Sequence, residues 1–248
     1  MLRGFLRAQR TRLIVYVTLL LLIVGYWQRT ALYHALAPVH GPPRRTVAEV
    51  LEQHGPAARA ELEPRCRARG IGWPPRRVAL LVFKKERVLE VWVAGEAGPY
   101  SLIKEYRVFG ASGDLGPKRR RGDGQVPEGF YAVEGLNPNS QHHLSIKVSY
   151  PNREDRDHAA VPAEDLGGDI FIHGGAASAG CVAIGDKAIE EVFSLVAEVP
   201  AAGRRVIISP VDFRRGASAR ADVPWVTDLY ARLAMELAQF PPPSLGSP

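Results

Sequence analysis

The sequence predicts a mainly β, α+β domain with helices at its flanks, on three observations. From residue 77 to 150, apolar residues come in short runs or in strict alternation, broken by clusters of turn-forming residues. Helical spacing of apolar residues is concentrated before and after that region. The 248-residue chain is 46% apolar and 23% charged, a composition able to pack one sizeable core with appendages.

The N-terminus stands apart. Residues 1–12 are basic, with Arg3, Arg7, Arg10 and Arg12 supplying four charges of a net +6. Residues 13–27 (LIVYVTLLLLIVGYW) carry none. As a helix they reach about 22 Å, short of a hydrocarbon core of about 30 Å. Tyr26 and Trp27 are interfacial residues and Arg29 can snorkel, so 13–30 is read as a membrane anchor. Basic residues ahead of a single span place the N-terminus in the cytoplasm and the bulk of the chain on the other side of the membrane. The rival is a cleaved signal peptide, since Ala35-Leu36-Ala37 resembles a cleavage site; Pro38 and the distance from the apolar run count against it. A Pro-rich linker spans 31–45.

Residues 46–70 read as a helical lead-in, two short helices broken at Gly55-Pro56. The β-rich domain follows at 71–212. Residues 78–83 and 88–93 form a hairpin about Lys84-Lys85-Glu86-Arg87, and 100–109 is a third strand. Residues 110–124 are a long loop, of a length more often functional than idle. Its run Lys118-Arg119-Arg120-Arg121 reads as a solvated loop or as a patch for an acidic polymer, with no concentrated basic face for nucleic acid. A short strand at 129–134 precedes a turn at 136–140. From 143 to 150 Leu144, Ile146 and Val148 face one way, His143, Ser145, Lys147 and Ser149 the other. A strand over 169–172 ends at His173. Asp186 N-caps a helix to residue 199 with Ile189, Val192, Phe193 and Val196 on its buried stripe. Residues 205–209 close the sheet. The C-terminal region 213–240 holds an amphipathic helix at 225–240, and 241–248 is a disordered tail.

Between strand and helix lies FIHGGAASAGCVAIGD, residues 171–186, holding one of two cysteines. Cys181 is open to three readings: a small buried hydrophobe, a disulfide partner of Cys66, or a nucleophile with His173 as its base. A disulfide gives no reason for His173-Gly174 upstream. A nucleophilic thiol needs an adjacent base. His173 at a strand end is rigidly held, and Gly174-Gly175 lets the chain leave sharply. Gly180 leaves room for a substrate carbonyl and frees backbone N–H groups for an oxyanion. A zinc site from His142, His143, His158 and His173 lacks any H-x-x-x-H pair or cysteine cluster.

Three segments in order, SGDLGPKRRRGDGQVPEGFY (112–131), LNPNSQHHLSIKVSYPN (136–152) and IHGGAASAGC (172–181), resemble the YkuD-type L,D-transpeptidases, in particular their YafK-like branch. That branch includes an envelope amidase that detaches an outer-membrane lipoprotein from peptidoglycan. The resemblance covers residues 77–208 and implies a domain in the periplasm of a Gram-negative cell, anchored in the inner membrane. It implies a β-rich catalytic domain needing no cofactor, a cysteine acyl-enzyme, and as partners a diaminopimelate-containing peptidoglycan stem peptide or a wall-linked lipoprotein. Carried onto this sequence, Cys181 is the nucleophile, His173 the base and Gly180 an oxyanion donor. His143, Ser145, Ser178 and Gly174 line the substrate groove, and His142 is incidental. Typical members place His before Gly-Cys, Arg two residues after the cysteine and Asn five after; here stand Ala179, Ala183 and Asp186. These departures favour an amidase or endopeptidase over a cross-linking transpeptidase. A non-catalytic wall-binding module would tolerate loss of Cys181 or His173, yet both are present.

Overall fold

The computed structural model describes residues 44–220 and 223–242. The anchor at 13–30, the basic segment before it, nearly all of the linker and residues 243–248 of the tail lie outside the described residues. No helix among the described residues is long and apolar enough to cross a membrane.

Eight strands form one sheet in the order β3-β2-β1-β8-β4-β5-β6-β7. They are β1 (Arg77–Phe83), β2 (Val88–Ala94), β3 (Ser101–Arg107), β4 (Gly129–Ser140), β5 (His143–Val148), β6 (Ile170–His173), β7 (Val182–Ala183) and β8 (Arg204–Ser209). The fold is α+β with this sheet at its centre. The pairs β1–β8 and β6–β7 are parallel; the other neighbours are antiparallel. In β1, Val78, Leu80 and Val82 face one core while Ala79, Leu81 and Phe83 face another. A strand buried on both faces reads as a continuous apolar run, which is why alternation is missing there. Strand β5 shows it for the apolar set: Leu144, Ile146 and Val148 are fully buried.

The first core lies under helices α1 (Val47–Arg67) and α3 (Asp186–Glu198); the second is covered by α4 (Pro224–Leu237). A short helix, α2 (Arg153–Asp157), follows β5 and is capped by Asn152, whose Nδ2 also donates to the Phe130 carbonyl at 3.0 Å.

Four expectations are corrected. First, α1 is one helix. Thr46 opens it with a capping box to Glu49, and it runs through Pro56 and Pro64. Pro56 removes the N–H that would pair with the Glu52 carbonyl, but both residues are exposed and water can take that carbonyl. Burial of Val50, Ala58, Leu62 and Cys66 on the opposite face holds the helix together. Second, residues 136–140 are not a turn but the far half of β4, which pairs first with β8 and then, from Val133 on and through a register shift between Val133 and Gly135, with β5. Third, β8 does not close the sheet; it sits between β1 and β4. Fourth, Gly185 caps α3 with φ 84°, and Asp186 is the first helical residue.

The loop from Gly110 to Gly124 is held by buried charge. Lys84 Nζ donates to Glu128 Oε1 at 2.8 Å and to the Gly116 and Val126 carbonyls at 2.9 and 3.0 Å. Glu128 Oε1 also accepts from Gly116 N at 2.7 Å, and its Oε2 accepts from the Tyr230 hydroxyl at 2.8 Å. The basic run is not a uniform patch. Lys118 is buried, with Nζ 2.6 Å from Asp123 Oδ1, and Arg121 N donates to the Asp165 carbonyl at 2.7 Å.

Removing one member of a buried, hydrogen-bonded ion pair strands the other. Glu128→Ala should therefore lower unfolding free energy by about 3–5 kcal/mol in urea titrations. A loss below about 1 kcal/mol would show that the pair contributes little.

Candidate active site

Strand β6 delivers His173 to its C-terminal end. The strand is paired on one side with β5, where Ser145 lies opposite His173, and on the other with β7, where Ala183 does. Cys181 immediately precedes β7, so the chain brings it in beside the histidine's strand. This arrangement is pinned by backbone bonds: Ile184 N to His173 O at 2.9 Å, Gly185 N to Gly175 O at 3.0 Å and Ala183 N to Gly110 O at 2.8 Å.

His173 is 2% exposed, and its Nδ1 lies 2.6 Å from the Gly174 carbonyl. A carbonyl can only accept, so Nδ1 carries the proton and the neutral ring's lone pair is on Nε2. Burial pushes the His173 pKa below the usual imidazole value; the Gly174 contact opposes this and His142 reinforces it. His142 stacks on His173, with ring centroids 4.4 Å apart.

Cys181 is half-buried, while Cys66 is fully buried in α1; both are free thiols. Burial raises the Cys181 pKa, the Phe171 N–H and the Lys118 ammonium draw it down, and Asp169 raises it. The balance is a neutral thiol beside a neutral imidazole. Their side chains are not hydrogen-bonded to each other; His173 Nδ1 is turned to the Gly174 carbonyl.

The turn before Cys181 is held by two serine hydroxyls. Gly180 N donates to Ser112 Oγ at 2.6 Å, and Ser112 Oγ donates to the Gly124 carbonyl at 2.8 Å. Cys181 N donates to Ser178 Oγ at 3.0 Å, while Ser178 Oγ donates to the Cys181 carbonyl at 2.5 Å. Both backbone donors beside the thiol thus have neutral partners. Gly180 has φ 99°, and a Cβ there would stand 3.3 Å from the Gln125 carbonyl. Gly174 is buried: a Cβ would meet Asp186 Oδ1 and the His142 carbonyl at 2.6 Å. Asp186 Oδ1 accepts from Gly175 N at 2.7 Å, which fixes the chain's exit from β6.

Of the sequence candidates, His173, Cys181, Gly180, Ser178, Gly174 and Ser145 gather here. His143 does not: it has φ 72°, and its Nε2 lies 2.7 Å from Glu190 Oε1, with the His54 ring at 5.5 Å. His142, read as incidental, is the residue stacked on His173. The left-handed backbone at His143 breaks the alternation that separated the two. His158 stacks on Trp225, remote from the zinc grouping considered above. Ser112 had no assigned role, although it opens the first of the three motifs.

The family model described as the L,D-transpeptidase catalytic domain, YkuD, matches residues 77–208. YafK of Escherichia coli (strain K12), whose name places it among the L,D-transpeptidases, is 39% identical over 122 residues, 48% of this chain and 47% of its own length. The chain therefore spans about half of that relative. Among solved structures, Bd1075 of Bdellovibrio bacteriovorus matches at 19% identity and TM-score 0.41, covering 66% of this chain and 55% of that one. The helical cell shape determining protein Pgp2 of Campylobacter jejuni matches with the same identity and coverage at TM-score 0.44.

A raised thiol pKa has a direct readout. Iodoacetamide labelling of Cys181 should accelerate with pH and inflect above the ordinary thiol value of about 8.5. Cys66, buried and pushed up to about 11, should stay unlabelled in native protein by peptide mass spectrometry. A rate plateau reaching below neutral pH would instead reveal a preformed thiolate. Gly174→Ala should lower Tm by several degrees in a calorimetric scan, because the His142 carbonyl cannot swing aside.

Proposed function

The chain belongs to the YkuD family of L,D-transpeptidase catalytic domains, and from that membership we propose a cysteine enzyme of the cell envelope that cleaves an amide at the diaminopimelate carboxyl of peptidoglycan, either in a stem peptide or where a lipoprotein is attached. The observation that carries this reading is the fixed tautomer of His173, with an Nε2 lone pair on the strand next to a half-buried thiol.

In the proposed cycle His173 Nε2 takes the Cys181 proton as Sγ attacks the amide carbon. The carbonyl π electrons move to oxygen, forming an oxyanion beside Gly180 N and Cys181 N. The C–N bond then breaks, the imidazolium gives its proton to the leaving amine, and a thioester remains. Water, deprotonated by Nε2, attacks the thioester; the C–S bond breaks, the acid is released and the proton returns to sulfur. The lowered His173 pKa supports a ring that is neutral, and so able to act as a base, at physiological pH.

Water as the acceptor is supported by the positions that depart from the cross-linking pattern. Ala179 is exposed and bears no polar group, and Ala183 is fully buried against Gly110, where an arginine has no room. Asp186 is a gentler departure, since an asparagine oxygen could equally accept from Gly175 N. The uncharged run at 13–27 supports delivery by an uncleaved anchor over 13–30, with the domain at 71–212 in the periplasm.

Cys181→Ala should abolish turnover of lipoprotein-bearing sacculi with folding intact, and His173→Ala should reduce it by about 10²-fold or more. Product mass spectrometry distinguishes the acceptors. Released lipoprotein or cleaved stem peptide supports hydrolysis, whereas new diaminopimelate cross-links would assign transpeptidation. Activity retained by Cys181→Ala protein would refute the nucleophile.

A further inference from the structure

Behind the catalytic ring, three side chains from three elements converge: His54 from α1, His143 from the start of β5 and Glu190 from α3. Their donor atoms all lie within 4.8 Å of one another. Glu190 Oε1 is 2.7 Å from His143 Nε2 and 3.4 Å from His54 Nδ1. A tetrahedral zinc ion with bonds of about 2.0–2.1 Å holds its donors roughly 3.3 Å apart. The three groups are thus already spaced to within small side-chain adjustments of a coordination shell.

Of the His54 ring, Nδ1 turns to Glu190 while Nε2 is buried with no hydrogen-bond partner, so the ring's polar contact is with this cluster. Two imidazoles and one carboxylate suit a borderline divalent ion, not the all-oxygen shells of calcium or magnesium. The His143 and Glu190 side chains are 27% and 29% exposed, so solvent can reach the cluster and supply a fourth ligand.

We propose that His54, His143 and Glu190 form a zinc site that clamps the lead-in helix to the catalytic domain. Independent contacts lie along the same seam: Arg45, just before α1, donates to the Pro138 and His143 carbonyls at 2.7 and 3.3 Å. The site is separate from the thiol chemistry, yet His143 adjoins His142, the ring stacked on His173. Zinc at His143 therefore fixes the strand start that presents His142.

The test uses purified full-length Cys181→Ala protein, so that zinc cannot occupy the catalytic thiol. Dialysis against ZnSO4 followed by metal analysis should give one ion per chain, and titration calorimetry its affinity. His54→Ala and Glu190→Gln, each in that background, should weaken binding by at least about 10-fold. Glutamine keeps an acceptor oxygen toward His143, so Glu190→Gln protein should fold, with circular dichroism as the check. Zinc should raise Tm in the Cys181→Ala parent and not in either double variant. Failure of the parent to bind zinc overturns the proposal; so does binding that neither substitution weakens.

Discussion

The Glu128 carboxylate is the constraint on which the rest of the molecule depends. It is fully buried, and it accepts from the Lys84 ammonium at the end of β1, from a backbone amide in the long loop and from a tyrosine on α4. Those three partners belong to the sheet, the loop and the helix over the second core. A buried charge left unpaired costs several kcal/mol, so each partner must arrive for the others to stay. One carboxylate thereby couples helix docking to loop placement. The loop in turn carries Ser112 and Gln125 to the glycine before the thiol, which makes a remote ion pair part of the site's construction.

The site itself is a backbone device. His173 ends one strand and Cys181 leads into its parallel neighbour, and the register of the two is locked on both sides, by β5 and by the Gly110 bridge to Ala183. Side-chain positions are set by main-chain hydrogen bonds that cannot drift without breaking the sheet. Glycines serve where the chain must pass closely: Gly174 beneath the His142 carbonyl, and Gly110, where a Cβ would stand 2.5 Å from the Ala176 carbonyl. The strand-to-helix passage after the thiol is equally tight, since Asp186 gives its carboxylate to Gly175 instead of to its own helix.

Much of this was legible in the sequence because its causes are local. The β1–β2 hairpin, the buried set of β5 and the α3 stripe follow from periodicity, whereas the Cys–His pairing comes from the resemblance of three motifs and not from spacing. What was missed depends on partners distant along the chain. Pro56 breaks a helix only if its neighbours need the lost bond, and burial of the opposite face decides that. Residues 136–140 look like a turn until β5 pairs with them. The exchange of roles between His142 and His143 turns on a single positive φ, which alternation cannot foresee. Ser112 sits 68 residues from the amide it receives, so no local signal marks it.

The two serine hydroxyls beside the thiol have a consequence for selectivity between chemical states. Each backbone donor that would meet the oxyanion of the proposed reaction already has a neutral acceptor. A substrate carbonyl, also neutral, replaces that acceptor with little net change. A developing oxyanion forms a charge-assisted bond roughly twice as strong. In the proposed reaction the resting site would thus be buffered, nearly indifferent to a bound amide and responsive when charge appears, which is differential binding that lowers a barrier without tightening the ground state.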